Sequence, residues 1–168
     1  MKETIISEVE KPYHNKKEWL WSEILPGLWQ GGTHPEDRVN RGNLRRITKL
    51  DFHSVFTMAS NSNPTTNGVR EFRFAIRDYD MSDFNPEKDL YPLVVMAHND
   101  WRAGRKTLVR CVAGWNRSGL VTALVLIRDG FTPEGAIELI RNKRSPKALS
   151  NEIFAEWLLN VDVEFWRK

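Results

Sequence analysis

An α/β fold, in which helices cover both faces of a central sheet, is the architecture that the sequence predicts. Segments with strand patterns alternate with segments that have helix patterns, and this alternation is typical of α/β domains. The strand-like segments are 24–32, 52–59, 69–76 and 106–110, and the helix-like segments after the third strand are 86–103, 117–128, 133–143 and 150–157. A chain of 168 residues, 40% of them hydrophobic, is long enough for one core and short for two.

Composition narrows the class of protein further. A net charge of +3 beside this hydrophobic fraction indicates a folded globule rather than a disordered chain. The single cysteine excludes an internal disulfide and zinc sites built on several cysteines, and the 4 histidines lack ligand spacing, so we expect no metal and no cofactor. No apolar run is long enough for a signal peptide or a membrane span, and we expect a cytoplasmic monomer.

The amino-terminal half is predicted to hold an extension, four strands and one surface helix. Residues 1–20 are polar and charged and are expected to form an extension, so that the domain spans 21–168. The Pro-Gly pair at 26–27 divides the first strand segment into two strands. Residues 35–49 combine apolar positions at helical spacing with several arginines, which predicts a surface helix with a basic outer face. Alternation of apolar and polar residues over 69–76 is typical of a strand.

Helix boundaries follow from capping residues. Asn85 before Pro86 predicts the start of a helix that continues to about residue 103, with a kink at Pro92. Thr132 precedes a proline in the same way, and its helix is expected to reach about residue 143. We expect the last helix to begin at Ser150 and to continue through residue 157.

Residues 108–119, with the sequence LVRCVAGWNRSG, are the part of the chain that indicates a chemical function. They are predicted to form a strand, a six-residue loop and the start of a helix. Helix N-termini carry unpaired N–H groups and a favourable dipole, and a loop with inward N–H groups forms a concave anion site. Gly114 permits a positive φ within that loop. The segment therefore predicts a site for a tetrahedral oxyanion such as phosphate.

Three side chains of this segment supply the chemistry of phosphate transfer. Cys111 ends the strand and faces the positive field of the helix, which favours its thiolate as a nucleophile. Arg117 opens the helix, and its planar guanidinium can bind two phosphate oxygens. Ser118 can donate a hydrogen bond to the sulfur when it leaves phosphorus. Together these residues predict a phosphate cradle with a nucleophile at its base.

The segment resembles the Cys-x5-Arg phosphate loop of the protein tyrosine phosphatase superfamily, and the arrangement most resembles the compact dual-specificity phosphatases. Weaker similarities are found, in the family's order, at 24–31, 55–59, 131–144 and 151–154. The resemblance implies a protein tyrosine phosphatase-like fold, with a mixed sheet of four or five strands and helices on both faces. It also implies that the loop binds phosphate through Val112, Ala113, Gly114, Trp115, Asn116 and Arg117. Arg110 stands where the family usually has a histidine, so the hydrogen bonding of the loop must differ.

A carboxylic acid is needed to protonate the leaving oxygen and then to activate water. In the resembled family this aspartate lies on a loop before the cysteine, and Asp78, Asp80 and Asp83 all occupy such a loop here. We favour Asp80, because it precedes the aromatic Phe84 by four residues, as in the family. Asp78 and Asp83 stay open as alternatives.

The expected activity is the hydrolysis of phosphate monoesters of phosphoprotein through a cysteinyl-phosphate intermediate, on phosphotyrosine and also on phosphoserine or phosphothreonine. Three alternatives stay open on the same scaffold: an RNA 5′-phosphatase, a phosphoinositide phosphatase, and a catalytically impaired phosphate-binding protein. The sequence pI of about 9.1 suits any of these anionic partners. A rhodanese-like sulfurtransferase is a weaker alternative, because that chemistry needs neither Ser118 nor an acid loop.

Overall fold

A five-stranded mixed sheet forms the centre of the molecule. The computed structural model describes residues 20–33, 46–60 and 62–168. The strands are β1 (Trp21–Leu25), β2 (Leu28–Gly31), β3 (Ser54–Thr57), β4 (Arg70–Arg73) and β5 (Thr107–Arg110). Their order across the sheet is β1-β2-β5-β3-β4, with β1 antiparallel to β2 and all other neighbours parallel. The predicted mixed sheet of four or five strands is confirmed.

The helices follow the order that the sequence predicts, with one addition. A π-helical turn (Pro86–Leu90) leads into α1 (Tyr91–Arg102), and the later helices are α2 (Arg117–Arg128), α3 (Pro133–Lys143), α4 (Glu152–Leu159) and α5 (Val163–Arg167). α5 was not predicted, because five residues are too few to show a helical period, although Asp162 caps it and Trp166 is fully buried. Within the described residues, no helix is long and apolar enough to cross a membrane.

The sheet separates two apolar clusters. Side chains alternate across a strand, so Phe56 and Val109 face the main core, while Val55 and Leu108 face a smaller cluster on the other side. α2 is the central helix of the main core, since all ten residues from Ser118 to Ile127 are buried. Of the predicted basic helix over 35–49, only the last four residues are described, and of the extension over 1–20 only the last one; the rest lies outside the described residues.

The long predicted helix changes its hydrogen-bond pattern beside Pro92, which lies in the first turn of α1 directly after the π-helical turn. Two predicted boundaries were wrong. The last predicted helix starts from Asn151 rather than Ser150, because the Asn151 side chain accepts the hydrogen bond of the Phe154 N–H group at 3.2 Å. β4 is also shorter than the predicted 69–76 segment. Beyond β4, the N–H group of Ile76 still donates to the Met58 carbonyl at 3.2 Å.

The connection from β5 to α2 determines where the site lies. β2, β3, β4 and β5 are parallel, so their carboxyl ends meet at one edge of the sheet. The loop 111–116 leaves β5 at this edge and enters α2 directly. Ligands of α/β proteins are typically bound at the carboxyl ends of parallel strands.

Candidate active site

Cys111 lies at the start of the loop, between a strand and the first turn of a helix. Its N–H group donates to the Gly31 carbonyl at 3.1 Å, which holds the start of the loop against β2. The Sγ atom of Cys111 lies 3.3 Å from the Oγ atom of Ser118, and both side chains are buried. The thiol donates in this contact, whereas in a thiolate the hydroxyl group would donate to sulfur. The prediction that Ser118 contacts the sulfur is consistent with this distance.

The path of the loop depends on two glycines and a close approach to β2. Gly114 has φ +76°, and a Cβ atom there would lie 2.4 Å from the carbonyl carbon of Gly31. A Cβ atom on Gly32 would lie 2.4 Å from the Val112 carbonyl oxygen. That same oxygen accepts the Thr33 N–H group at 3.0 Å. Only glycines allow the two backbones to approach this closely.

Side chains from distant segments bind the outward carbonyl groups of the loop. Arg144 donates from Nη2 to the Ala113 carbonyl at 3.2 Å and from Nε to the Gly114 carbonyl at 3.1 Å. Gln30 also donates to the Gly114 carbonyl, at 3.1 Å. Because C=O and N–H point in opposite directions across a trans peptide, these contacts turn the following N–H groups toward the other side of the loop. The arrangement gives the loop the inward N–H groups that a phosphate site needs.

Arg144 and Gln30 are site residues that the sequence interpretation missed. Burial lowers the pKa of Arg144 to about 10, while attraction to the Cys111 thiolate acts in the opposite direction. Arg144 therefore keeps its positive charge at neutral pH. No spacing signal connects either residue to Cys111; the only hints were that both lie in segments, 24–31 and 131–144, that are similar to the resembled family.

Arg117 has donors that are not used within the described chain. Its Nη1 group donates to the Ile76 carbonyl at 3.3 Å. Its Nε group is buried and has no hydrogen-bond partner among the described residues. A buried donor without a partner costs free energy, and an anion in the loop would supply the missing acceptor.

The first turn of α2 is capped in an unusual way. The side chain of Asn116, at the N-cap position, makes no capping hydrogen bond to the helix. Its Nδ2 group instead donates to Asp78 Oδ2 at 3.1 Å, and its Oδ1 atom accepts the Asn151 N–H group at 2.9 Å. The first N–H groups of α2 are therefore not occupied by the N-cap side chain, and they lie next to the loop.

The three candidate acids have different partners. Asp78 accepts hydrogen bonds on both carboxylate oxygens, from Asn116 and, at 2.9 Å, from Asn151 Nδ2. Asp83 pairs with Arg77 at 3.0 Å. Asp80 accepts from the Oγ and N–H groups of Ser82 at 2.6 and 3.1 Å. These hydrogen bonds hold the pKa of Asp80 below its usual value, chiefly through the Ser82 hydroxyl group.

Comparison with known proteins identifies the family. The family model for the catalytic domain of dual specificity phosphatases matches residues 39–164, about three quarters of the chain. The chain belongs to this phosphatase family. No curated protein sequence matches the chain.

Solved structures of phosphatases share the fold. A putative dual specificity phosphatase from mouse, complexed with zinc tungstate, has a TM-score of 0.60 at 21% identity, over 83% of this chain and 86% of that one. Human DUSP28 has a TM-score of 0.62 at 23% identity, over 83% and 90%. PTPMT1, solved in complex with PI(5)P, has a TM-score of 0.61 at 22% identity, over 83% and 94%. At these identities the likeness shows the fold.

Arg110, which departs from the usual phosphatase pattern, binds the neighbouring strands. Its Nε group donates to Thr57 Oγ1 at 3.0 Å, and its Nη2 group donates to the Asn63 carbonyl at 2.8 Å and to Glu71 Oε2 at 3.1 Å. The Arg110 side chain is 4% exposed and that of Glu71 is 13% exposed, so this ion pair is largely shielded from water. A cation at this position would by itself favour the thiolate of the next residue. The Glu71 carboxylate, which also pairs with Arg73 at 2.7 Å, offsets that charge, and the contacts of Arg110 join the ends of β3 and β5 to β4.

Two smaller points complete the site. The ring of Trp115 lies beneath the Lys147 ammonium group, with Nζ 5.2 Å from the ring centroid. In the part of the chain that the structure describes, no group of three His, Cys, Asp or Glu side chains is arranged to hold a metal ion.

Proposed function

We propose that this phosphatase hydrolyses phosphate monoesters of phosphoproteins, on phosphotyrosine and on phosphoserine or phosphothreonine, through a cysteinyl-phosphate intermediate. The observation that supports this most strongly is the contact between the Cys111 sulfur and the Ser118 hydroxyl group at 3.3 Å, at the N-terminus of α2. The unused Nε donor of Arg117 and the outward carbonyl groups of Ala113 and Gly114 support a phosphate bound in the same loop.

In the first step the Cys111 thiolate attacks phosphorus, the P–S bond forms and the ester P–O bond breaks. Arg117 and the loop N–H groups bind the phosphoryl oxygens, which stabilises the charge that develops on them. Asp80 gives its proton to the departing oxygen, so that an alcohol or phenol leaves rather than its anion.

In the second step a water molecule attacks phosphorus, and the Asp80 carboxylate takes a proton from that water. The P–S bond breaks and inorganic phosphate is released. The electron pair returns to sulfur, where the Ser118 hydroxyl group donates a hydrogen bond to the thiolate. Asp80 ends the cycle protonated, and the two steps together consume one water molecule.

Hydrolysis of para-nitrophenyl phosphate in the presence of a chelator tests the mechanism. We expect turnover without added metal, inhibition by vanadate, and complete loss of turnover in Cys111→Ser with phosphate binding retained. The variant exchanges a single atom, so loss of folding is not expected. A wild-type protein that binds a phosphotyrosine peptide but releases no phosphate would instead be a phosphate-binding protein without turnover.

A panel of phosphopeptides, 5′-phosphorylated RNA and phosphoinositides tests the substrate class. We expect the highest kcat/KM on phosphopeptides. Preference for RNA that persists at physiological salt would contradict the proposal, because nonspecific charge binding weakens with salt. A preference for phosphoinositide would also contradict it, and it would extend the likeness to PTPMT1, whose structure was solved with PI(5)P, beyond the fold.

A further inference from the structure

Three polar side chains join the loop that carries the candidate acids to the phosphate loop. We call Asp78, Asn116 and Asn151 the amide clamp. Both asparagine amides donate to the carboxylate of Asp78, at 3.1 and 2.9 Å, and the backbone N–H group of Asn151 donates to the Asn116 side chain at 2.9 Å. These contacts form a closed ring that includes the last residue before α2 and the N-cap of α4.

We propose that the amide clamp positions Asp80 above the phosphate loop, so that Asp78, Asn116 and Asn151 are positioning residues for proton transfer. This inference rests on the proposed function, in which Asp80 is the acid. The clamp fixes the backbone two residues before Asp80, and Asn151 strengthens the attachment by donating to the Tyr79 carbonyl at 3.0 Å.

The remaining contacts of the acid loop show why an external attachment matters. The Arg77–Asp83 ion pair and the Asp80–Ser82 hydrogen bonds lie within the loop itself. They shape the loop, and Met81 and Phe84 hold its later part by packing against the main core. The side chains of residues 77–79 are exposed, so apolar burial contributes little to holding this part of the loop in place. Attachment of the loop at Asp78 therefore depends on hydrogen bonds.

The clamp also separates the roles of two candidate acids. Each carboxylate oxygen of Asp78 accepts a hydrogen bond from an asparagine amide, one at the start of α2 and one at the start of α4. An aspartate that is held as an acceptor by two amides is suited to hold a loop. Asp80 has one local partner, Ser82, and is two residues closer to the anchoring Phe84.

Leaving-group dependence measures proton transfer separately from general stability. Dinitrophenyl phosphate releases an acidic phenol that needs little protonation, whereas phenyl phosphate releases a basic one. We expect Asp80→Asn to lower kcat on phenyl phosphate by about 100-fold, and Asn151→Asp and Asp78→Asn to lower it by about tenfold. All three variants should change kcat on dinitrophenyl phosphate by less than about threefold.

Asn151→Asp is chosen because aspartate caps a helix as well as asparagine does, so that α4 keeps its cap while the clamp loses its donor. Asp162→Asn, at the N-cap of α5, makes the reverse exchange away from the clamp and should leave both rates unchanged. In the double variant Asp78→Asn/Asn151→Asp, the donor and acceptor exchange places. We expect it to recover part of the lost rate on phenyl phosphate.

Three results would overturn the inference. Equal losses on both esters would show that the clamp variants disturb the phosphate loop rather than proton transfer. Full activity of Asn151→Asp on phenyl phosphate would show that the clamp does not position the acid. Full activity of Asp80→Asn beside an inactive Asp78→Asn would make Asp78 the acid itself. A wild-type protein inactive on both esters would instead refute the proposed function.

Discussion

Replacing Arg144 by methionine tests whether hydrogen bonds to the outward carbonyl groups of the loop 111–116 keep that loop in shape. Methionine keeps much of the length and apolar stem of arginine but none of its donors. The variant removes hydrogen bonds to the Ala113 and Gly114 carbonyl groups and to Ser22 Oγ, at 3.2, 3.1 and 3.1 Å. The first two of these contacts determine which way the loop N–H groups point, so both stability and phosphate binding should respond.

The size of the effect follows from these contacts. At about 1 kcal/mol for each hydrogen bond, allowing for partial exposure, the free energy of unfolding should fall by about 3 kcal/mol. For a chain of this length that loss corresponds to a Tm lower by roughly 6–12 °C. The two loop contacts account for about 2 kcal/mol of the total, and full loss of that preorganisation would lower kcat/KM by about 30-fold.

Arg167→Met is a matched control. Arg167 donates to the carbonyl groups of Ile127, Gly130 and Phe131, each at 3.1 Å, and none of these belongs to the phosphate loop. We expect urea unfolding to show similar losses of stability in both variants, and kcat/KM on para-nitrophenyl phosphate to fall in Arg144→Met alone. If Arg144→Met keeps kcat/KM within about twofold of wild type, or if the control loses as much, Arg144 does not shape the loop.

Three further predictions concern the same edge of the sheet. Gly114→Ala should lower the free energy of unfolding by about 2–4 kcal/mol and abolish inhibition by vanadate, because alanine cannot adopt this positive φ against β2 without strain. Urea unfolding measures the first effect and an inhibition assay measures the second. Arg110→Gln removes the ion pair with the partly buried Glu71 carboxylate, which keeps Arg73 at 2.7 Å as a partner, and should lower the free energy of unfolding in urea by about 1–2 kcal/mol. Ser82→Ala removes the hydroxyl hydrogen bond that is the main cause of the lowered pKa of Asp80 and keeps the backbone one. Because the acid must be protonated, the alkaline limb of the pH profile of kcat should shift to higher pH, and an unchanged limb would contradict the role of Asp80.

Ser82 also provides a test of stability against pH. A carboxyl group whose pKa is lowered on folding stabilises the protein above its usual value of 3.8, and the effect is lost as the pH falls through the lowered value. The Ser82→Ala variant should therefore lose the share of this contribution that the hydroxyl group makes at neutral pH, and differ less from wild type in strong acid. Thermal unfolding at several pH values measures the difference.

Local signals predicted most of the elements. Thr132 and Asn85 cap helices as expected, because a capping side chain reaches only three residues along the chain. The start of the last predicted helix was wrong by one residue, because Ser150 and Asn151 are both good caps and only the contact to the Phe154 N–H group distinguishes them. α5 was missed because a helix of five residues depends on burial of Trp166 rather than on periodicity.

The sequence alone predicted the candidate site, because Cys111, Arg117 and Ser118 lie within one turn of loop and helix and backbone geometry brings them together. Only the tertiary structure decided what holds that loop in shape. Gln30 and Gly114 are 84 residues apart in the chain, and Asn151 and Asp78 are 73 apart. Contacts over such separations depend on how sheet and helices pack, and no local pattern encodes them. The proposed nucleophile and its proposed anion site could therefore be inferred from the sequence, whereas the side chains that hold the loop, the partner of Arg110 and the amide clamp could not.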